Sequence, residues 1–584
     1  MKKKMSKISE IRRTSRVNLL LTISLVVMIN ILSGYKFKRI DLTSEKRFTL
    51  NEATVSLLKK LDDVVYVKVY LEGDLPPGYK RLSNATREIL DEFRSYNRNI
   101  EYEFINPSEG KTEKEKKAIY KDLLQQGLIY TTPIEQKDAG VSQVLIWPGA
   151  LITYKNKTIP VQLLNSKSYS NEEEMISRSI NDLEYELTNS LRKIKTANKN
   201  AIAFIEGHGE LDSLKTKDIS YALSEYYTIK RVRIDSNLSS LVNRSQKGDS
   251  FYFYPKYKAI IIAKPDSAFS EKDKFIIDQY IMRGGKVLWL VDRVNASMDS
   301  LGIYSSELVY PKELNLDDQF LRYGVRVNAN LLMDLRSSGI PLVTGQVGNQ
   351  PRMKFFRWYY FPLAIPSSKH PIVHNLNGIK FQFVGSIDTL TAEGIQKTIL
   401  LTGSKRTKLI NAPGRISLNI LREKPDPEIY SSSNIPLAVL LEGKFSSHFV
   451  NFRNDLRADP RIGFLPKAVK STAMIVVADG DVISNEVSKT TGKILPLGYD
   501  KFTGEMFGNK DFVLNCLNYL CDDSGLIAVR SREIKVRLLD DAKIKSSLPE
   551  IQVKNVLIPI LILIALGFFI VILRKRLYGN KQTV

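Results

Sequence analysis

The chain has 584 residues, with 86 Lys and Arg against 63 Asp and Glu, four His and two Cys, giving a formal charge of +23. A content of 43% hydrophobic, 26% charged and 9% aromatic residues excludes a disordered or fibrous chain, and two cysteines cannot supply a disulfide scaffold. The length allows several domains and sizeable cores, while the basic excess suggests nucleic acid until the charge is located along the chain.

Residues 1–16 hold seven positive side chains and Glu10. The run that follows, Val17–Tyr35, contains no charged residue, and it predicts a transmembrane helix behind a basic cytoplasmic tail. A cleaved signal peptide is the competing reading; the run is longer than a usual apolar signal core, and Ile31-Leu32-Ser33-Gly34-Tyr35 is a poor cleavage sequence.

Residues 36–197 predict a first α/β domain. Thr49 with Glu52 is a capping-box pattern that opens a helix through Leu61. The strand Val64–Leu71, the helix Leu82–Tyr96 and the alternating strand Ile100–Ile105 form a β-α-β unit. A charged helix over Thr112–Gln126 and strands at Gln143–Ile146 and Ala150–Tyr154 complete the domain. The amphipathic helix Asn171–Ile194 then leads into a linker at Thr196–Asn200.

Residues 198–545 predict a second α/β domain. The apolar strand Ala201–Ile205 is followed by Glu206-Gly-His-Gly-Glu210 and a helix to Tyr227. Next come the strand Ala259–Ala263, a helix capped by Ser270 with Asp273 three residues on and stopped by Gly284-Gly285, and the strand Lys286–Val291. Continuous apolar strands alternating with helices predict a parallel sheet covered on both faces. From about 295 to 466 the pattern loosens into a β-rich or mixed insertion, after which the strand Met474–Ala478 and the helix Asn509–Leu520 resume it.

Asn555–Leu573 is again uncharged, with Pro559 in its first turn, and Arg574, Lys575, Arg576 and Lys581 follow it. It predicts a second transmembrane helix, with 574–584 as a cytoplasmic tail. Positive residues stay on the cytoplasmic side, so both ends are expected inside and Lys36–Lys554 outside. The tails account for +6 and +4, leaving +13 for the rest. An exported body does not meet nucleic acid, so that remainder points to solvation or to a surface that meets membrane lipid or another anionic envelope polymer.

Catalytic signals are sparse. No G-x-x-x-x-G-K-[ST] motif is present, and Thr490-Thr-Gly-Lys493 lacks the first glycine and the following hydroxyl residue, so the chain has no phosphate cradle of its own. Cys516 and Cys521 have neither metal spacing nor a nucleophile turn and read as core thiols. No cofactor and no metal motif is expected. In a doubly wound sheet, residues just past the strands line a common crevice, which here gathers Glu206, His208, Glu210, Asp292, Asp479 and Asp481. Such carboxylates around a histidine could bind a ligand or move protons; alternatively Gly207 and Gly209 shape a tight turn, with His208 and the acids as its caps. In the insertion, Arg352, Lys354, Arg357 and Trp358 lie in an aromatic run that offers a partner or membrane surface, or else a strand core.

The two-span layout, Arg39-Ile-Asp-Leu-Thr-Ser-Glu-Lys-Arg-Phe-Thr-Leu50, Ala203-Phe-Ile-Glu-Gly-His-Gly-Glu210, Val477-Ala-Asp-Gly-Asp481 and Gly508-Asn-Lys-Asp-Phe-Val-Leu-Asn-Cys-Leu-Asn-Tyr-Leu520 together resemble the gliding-motility-associated ABC-transporter family GldG of Bacteroidota-type bacteria, across essentially the whole chain. The resemblance implies an inner-membrane auxiliary subunit, substrate-binding in the family's label, which works with a separate ABC ATPase and a multi-span permease. It also implies that the second domain is flavodoxin- or amidotransferase-like, similar to one in an intraflagellar transport protein and without catalysis. Two other functions are compatible with the residues themselves. One is an envelope-glycan hydrolase or transferase at the Glu206/His208/Asp292/Asp479 crevice, and the other is a purely structural scaffold.

Overall fold

The computed structural model describes residues 16–29, 49–137, 140–143, 145–164, 172–195, 199–247, 250–347, 350–451, 463–488, 491–522, 525–531 and 541–578. The basic tail 1–15, the end of the first apolar run, the membrane-proximal motif up to Phe48, part of the linker and residues 579–584 lie outside the described residues. The chain divides into two compact units, Met1–Glu533 and Ile534–Val584. In the first unit, α1 (Arg16–Ile29) is apolar but short for a bilayer span.

The first α/β body begins with α2 (Glu52–Lys59), β1 (Val65–Val69), α3 (Pro77–Tyr96), β2 (Ile100–Phe104) and α4 (Glu113–Gln125). It continues with β3 (Gly149–Tyr154), β4 (Lys157–Gln162) and α5 (Glu172–Lys195). Its sheet runs β2-β1-β3-β4, with β1 parallel to β2 and antiparallel to β3. The cap of α2 is Asn51, whose side chain accepts from the Ala53 N–H, and not Thr49; an Asx side chain at the boundary is the stronger cap. A capping box forms between Thr112 and Glu115 at the start of α4. The strand expected over Gln143–Ile146 is replaced by a hairpin of Ile134–Lys137 with Gly140–Gln143, and Ile146 makes only an isolated bridge with Thr131.

The helix α5 joins the two bodies of this unit. Ile176, Leu183, Leu187 and Leu191 enter the first core. Asn189 donates to the Tyr226 hydroxyl at 3.0 Å, and Lys193 pairs with Glu225 at 2.8 Å.

The second body contains β5 (Ala201–Glu206), α6 (Lys217–Ser224), β6 (Thr228–Arg233), β7 (Ala259–Ala263), α7 (Glu271–Met282) and β8 (Lys286–Leu290). Within the insertion lie β9 (Ser337–Val347), β10 (Gln350–Ala364), β11 (Ile395–Thr402) and β12 (Pro436–Gly443), and β13 (Thr472–Val477) and α8 (Asn509–Cys521) follow. The sheet order is β11-β12-β13-β8-β7-β5-β6. Five strands, β6, β5, β7, β8 and β13, are parallel neighbours. The sheet is therefore mixed rather than wholly parallel, because the insertion adds β12 antiparallel to β13 and β11 antiparallel to β12. Every residue of β7 is buried; at about 1.5–3 kcal/mol for each fully buried aliphatic side chain, Ile260, Ile261 and Ile262 anchor the sheet. Cys516 and Cys521 are buried in the same core, as expected of core thiols.

The second unit is dominated by α9 (Asp541–Tyr578), which kinks at Ser547. Its segment Ser546–Arg576 is long and apolar enough to cross a membrane. Pro559 lies in the interior of this helix instead of its first turn; helices in lipid tolerate interior proline when local adjustments satisfy the freed carbonyl.

Candidate functional site

The turn after β5 is built on glycine. Gly207 and Gly209 take φ of 122° and 75°, a region that costs other L-residues energy, and a Cβ at Gly209 would meet the Asp266 Cβ at 3.0 Å. This turn carries His208 inward. Its ring lies 3.3 Å from Glu210 through Nδ1 and 3.3 Å from Asp273 through Nε2, and it stacks on Phe269 with centroids 3.8 Å apart. The His208 carbonyl accepts from the Asp266 and Ser267 N–H groups. Burial works against the charged ring, but the Glu210 and Asp273 carboxylates outweigh it and hold His208 above its ordinary value. Asp273 is itself fixed, accepting from the Ser270 hydroxyl at 2.7 Å and the Ser236 N–H at 3.0 Å. Glu206 turns elsewhere and bonds Arg231 on β6, which also reaches the Leu211 carbonyl.

A second cluster forms where β7, β8 and β13 end. Lys264 follows β7 with φ of 55°, and its Nζ lies 2.6 Å from Asp481 and 3.3 Å from Asp292. Asp292 accepts from the Gly480 N–H at 2.5 Å. Asp479 accepts from the Gln382 N–H of the insertion and from the Asp481 N–H, each at 2.6 Å. Burial, reinforced by Asp292 and Asp481, pushes Asp479 well above the usual carboxylate range. Asp292 is also raised by burial, against the pull of Lys264. Burial opposes the Lys264 charge, but Asp292 and Asp481 outweigh it and hold the ammonium above its ordinary value. A Cβ at Gly480 would lie 2.4 Å from the Lys264 Cβ, so only glycine fits between the two strand ends.

The six crevice residues therefore divide. His208 and Glu210 gather around Asp273, Asp292, Asp479 and Asp481 gather around Lys264, and Glu206 sits with Arg231. No hydrogen bond or ion pair among the described residues links a side chain of the His208 group to one of the Lys264 group. Among the described residues no group of three or more His, Cys, Asp or Glu side chains is placed to hold a metal ion. Chemically, both clusters are closed: the carboxylates are met by backbone N–H groups, hydroxyls or cations, and the arrangement fastens strand ends to helix α7 and to the insertion. Lys264 is not among the residues singled out from sequence, and Asp273 is named there only as the cap partner of Ser270. Lys264 carries the same signal as the chosen acids, since it is the first residue past a buried strand.

The basic and aromatic run of the insertion lies on β10 and splits at Arg357. Trp358 is fully buried in a cluster with Tyr360 and Ile416, whereas Arg352, Lys354 and Arg357 are exposed.

A mixed α/β body with closed polar clusters at its strand ends and a membrane-length apolar helix at its C-terminus defines the class of protein. Residues 199–516 match the family model described as an ABC-type uncharacterized transport system; the match covers more than half of the sequence, and the chain belongs to that auxiliary-component family. Residues 44–153 match the model of a domain of unknown function. An uncharacterized protein from Borreliella burgdorferi is 23% identical over 448 residues, covering 74% of this chain and 78% of the relative. Among solved structures, the mmIFT52 N-terminal domain aligns over 58% of this chain and 100% of its own length, with 12% identity and a TM-score of 0.30. Membership makes the chain an auxiliary component of an ABC-type transport system, which suggests a non-catalytic component with transporter partners.

Proposed function

We propose that the chain is a membrane-anchored, non-catalytic subunit that works beside a separate ABC ATPase and a multi-span permease, in the gliding-motility setting implied by the resemblance. In this reading two spans hold it in the inner membrane, both ends are cytoplasmic, and the α/β body lies on the far side. The family match over 199–516 carries the proposal. A nucleotide-driven transport system needs a phosphate-cradling loop, and this chain has none, so a separate subunit supplies it. One observation supports the non-catalytic reading further: the acids of the crevice are internally engaged. The test is affinity purification of the tagged full chain in mild detergent, followed by mass spectrometry. An ATPase with a Walker motif and a multi-span protein should co-isolate reproducibly; recovery of the chain without either overturns the proposal.

A further inference from the structure

We propose that the β9–β10 hairpin is an arm that inserts its apolar face into an anionic bilayer surface. Between Asp334 and Asp388 the sequence contains no Asp or Glu, while it holds Arg336, Arg352, Lys354, Arg357, Lys369 and Lys380. The base of the arm is fixed by the buried Trp358 and Tyr360. Farther out, Val343 pairs with Met353 and Pro341 with Phe355, and the two-residue period of strands puts all four on one face. Val343, Met353 and Phe355 are 60%, 56% and 48% exposed, so among the described residues nothing covers these three side chains. Arg352 and Lys354 alternate with Met353 and Phe355 and so belong to the opposite face. Arg352, Lys354 and Arg357 are exposed and enter no ion pair among the described residues.

Apolar side chains that alternate along one strand with cations outside any ion pair fit the boundary between acyl chains and headgroup phosphates. Lysine is depleted from protein–protein interfaces, whereas both cations are attracted to anionic lipid. A few apolar side chains bind a membrane only weakly on their own. The proposal therefore rests on the reading of Ser546–Arg576 as a bilayer span, which keeps the arm at high local concentration near lipid.

The test uses the full chain with Met353→Cys carrying an environment-sensitive fluorophore; the native Cys516 and Cys521 are buried. The protein is reconstituted into vesicles of phosphatidylcholine, alone or mixed with phosphatidylglycerol. Phosphatidylglycerol should shift the emission to the blue and protect the probe from an aqueous quencher. Neutralising Arg352, Lys354 and Arg357 with glutamine should lower the inserted-to-free ratio roughly fivefold per cation removed, with the melting temperature unchanged. A chain washed off the vesicles by alkaline carbonate overturns the anchoring reading and this proposal with it. A chain that stays while its probe reads water in both lipids overturns the arm alone. So does a shift that survives loss of the three cations, or one that needs a co-reconstituted membrane protein.

Discussion

His208, which the sequence offers either to a ligand crevice or as a turn cap, is held on three sides in the fold. Its two ring nitrogens face Glu210 and Asp273, and its ring lies on Phe269. The folded state raises its pKa, and a raised pKa means that folding takes up protons relative to the unfolded chain, whose histidine titrates near pH 6.5, about the ordinary value. The stabilisation is therefore fully present below that pH and is lost as pH rises through the folded value. We expect His208→Gln to lower the melting temperature at pH 6, and the gap to wild type to narrow as pH rises above about 7; a gap that widens with pH would contradict the assignment. Lys264 gives a prediction of opposite sign. Removing one partner of a largely buried pair costs about 3–5 kcal/mol because a charge is left uncompensated. Lys264→Met leaves Asp292 and Asp481 without their cation, so its penalty should be largest where Asp292 is ionised and shrink as acid protonates Asp292, whose carboxyl burial already raises. Adding Asp481→Asn should recover part of the loss. Denaturant titration at two pH values checks both statements.

Among the elements, the ones specified by local periodicity were readable from sequence. The strand β7 is a run of five buried residues and matches its expected bounds, and α7 begins behind Ser270 as its cap pattern requires. Elements that depend on distant partners were not readable. The strand β6 is a half-exposed edge without an apolar run, and β12 joins the main sheet only because β13, which follows it in the chain, offers it an edge, to which β12 in turn adds β11. The site divides in the same way. The Gly-His-Gly turn is local and was legible, whereas its partner Asp273 lies 65 residues along the chain from His208 and no spacing rule connects them. Ser270 links the two levels, because its hydroxyl accepts from the Asp273 N–H and also donates to the Asp273 carboxylate. Ser270→Ala should therefore cost more than an ordinary cap, toward the upper end of about 0.5–2 kcal/mol. Thr112→Ala, whose capping box is exposed, should cost about 0.5–1 kcal/mol. Equal shifts of the melting temperature in the two variants would show that Ser270 acts as a cap alone.

For the whole molecule, the charge distribution carries the orientation argument. Of the formal +23, the two tails hold +10, next to apolar runs, and basic residues beside short spans are retained in the cytoplasm. The described part of the first run, Arg16–Ile29, is shorter than the roughly 20 residues a bilayer requires, whereas Ser546–Arg576 exceeds them. The two-span reading therefore turns on the N-terminal run, and it makes a sharp prediction. Deleting residues 546–584 should leave the chain in the membrane fraction after alkaline carbonate extraction, held by Val17–Tyr35, and deleting both runs should release it. Release by the first deletion alone would reduce the anchor to a single helix. Orientation follows from labelling in intact spheroplasts with a membrane-impermeant maleimide, for which the buried Cys516 and Cys521 give little background. Tyr221→Cys, at a position 74% exposed on the body, should label without lysis, and Lys581→Cys in the basic tail only after it. The reverse pattern would place the body in the cytoplasm and return the remaining +13 to the anionic partners of that compartment, because the argument against nucleic acid rests on the body lying outside.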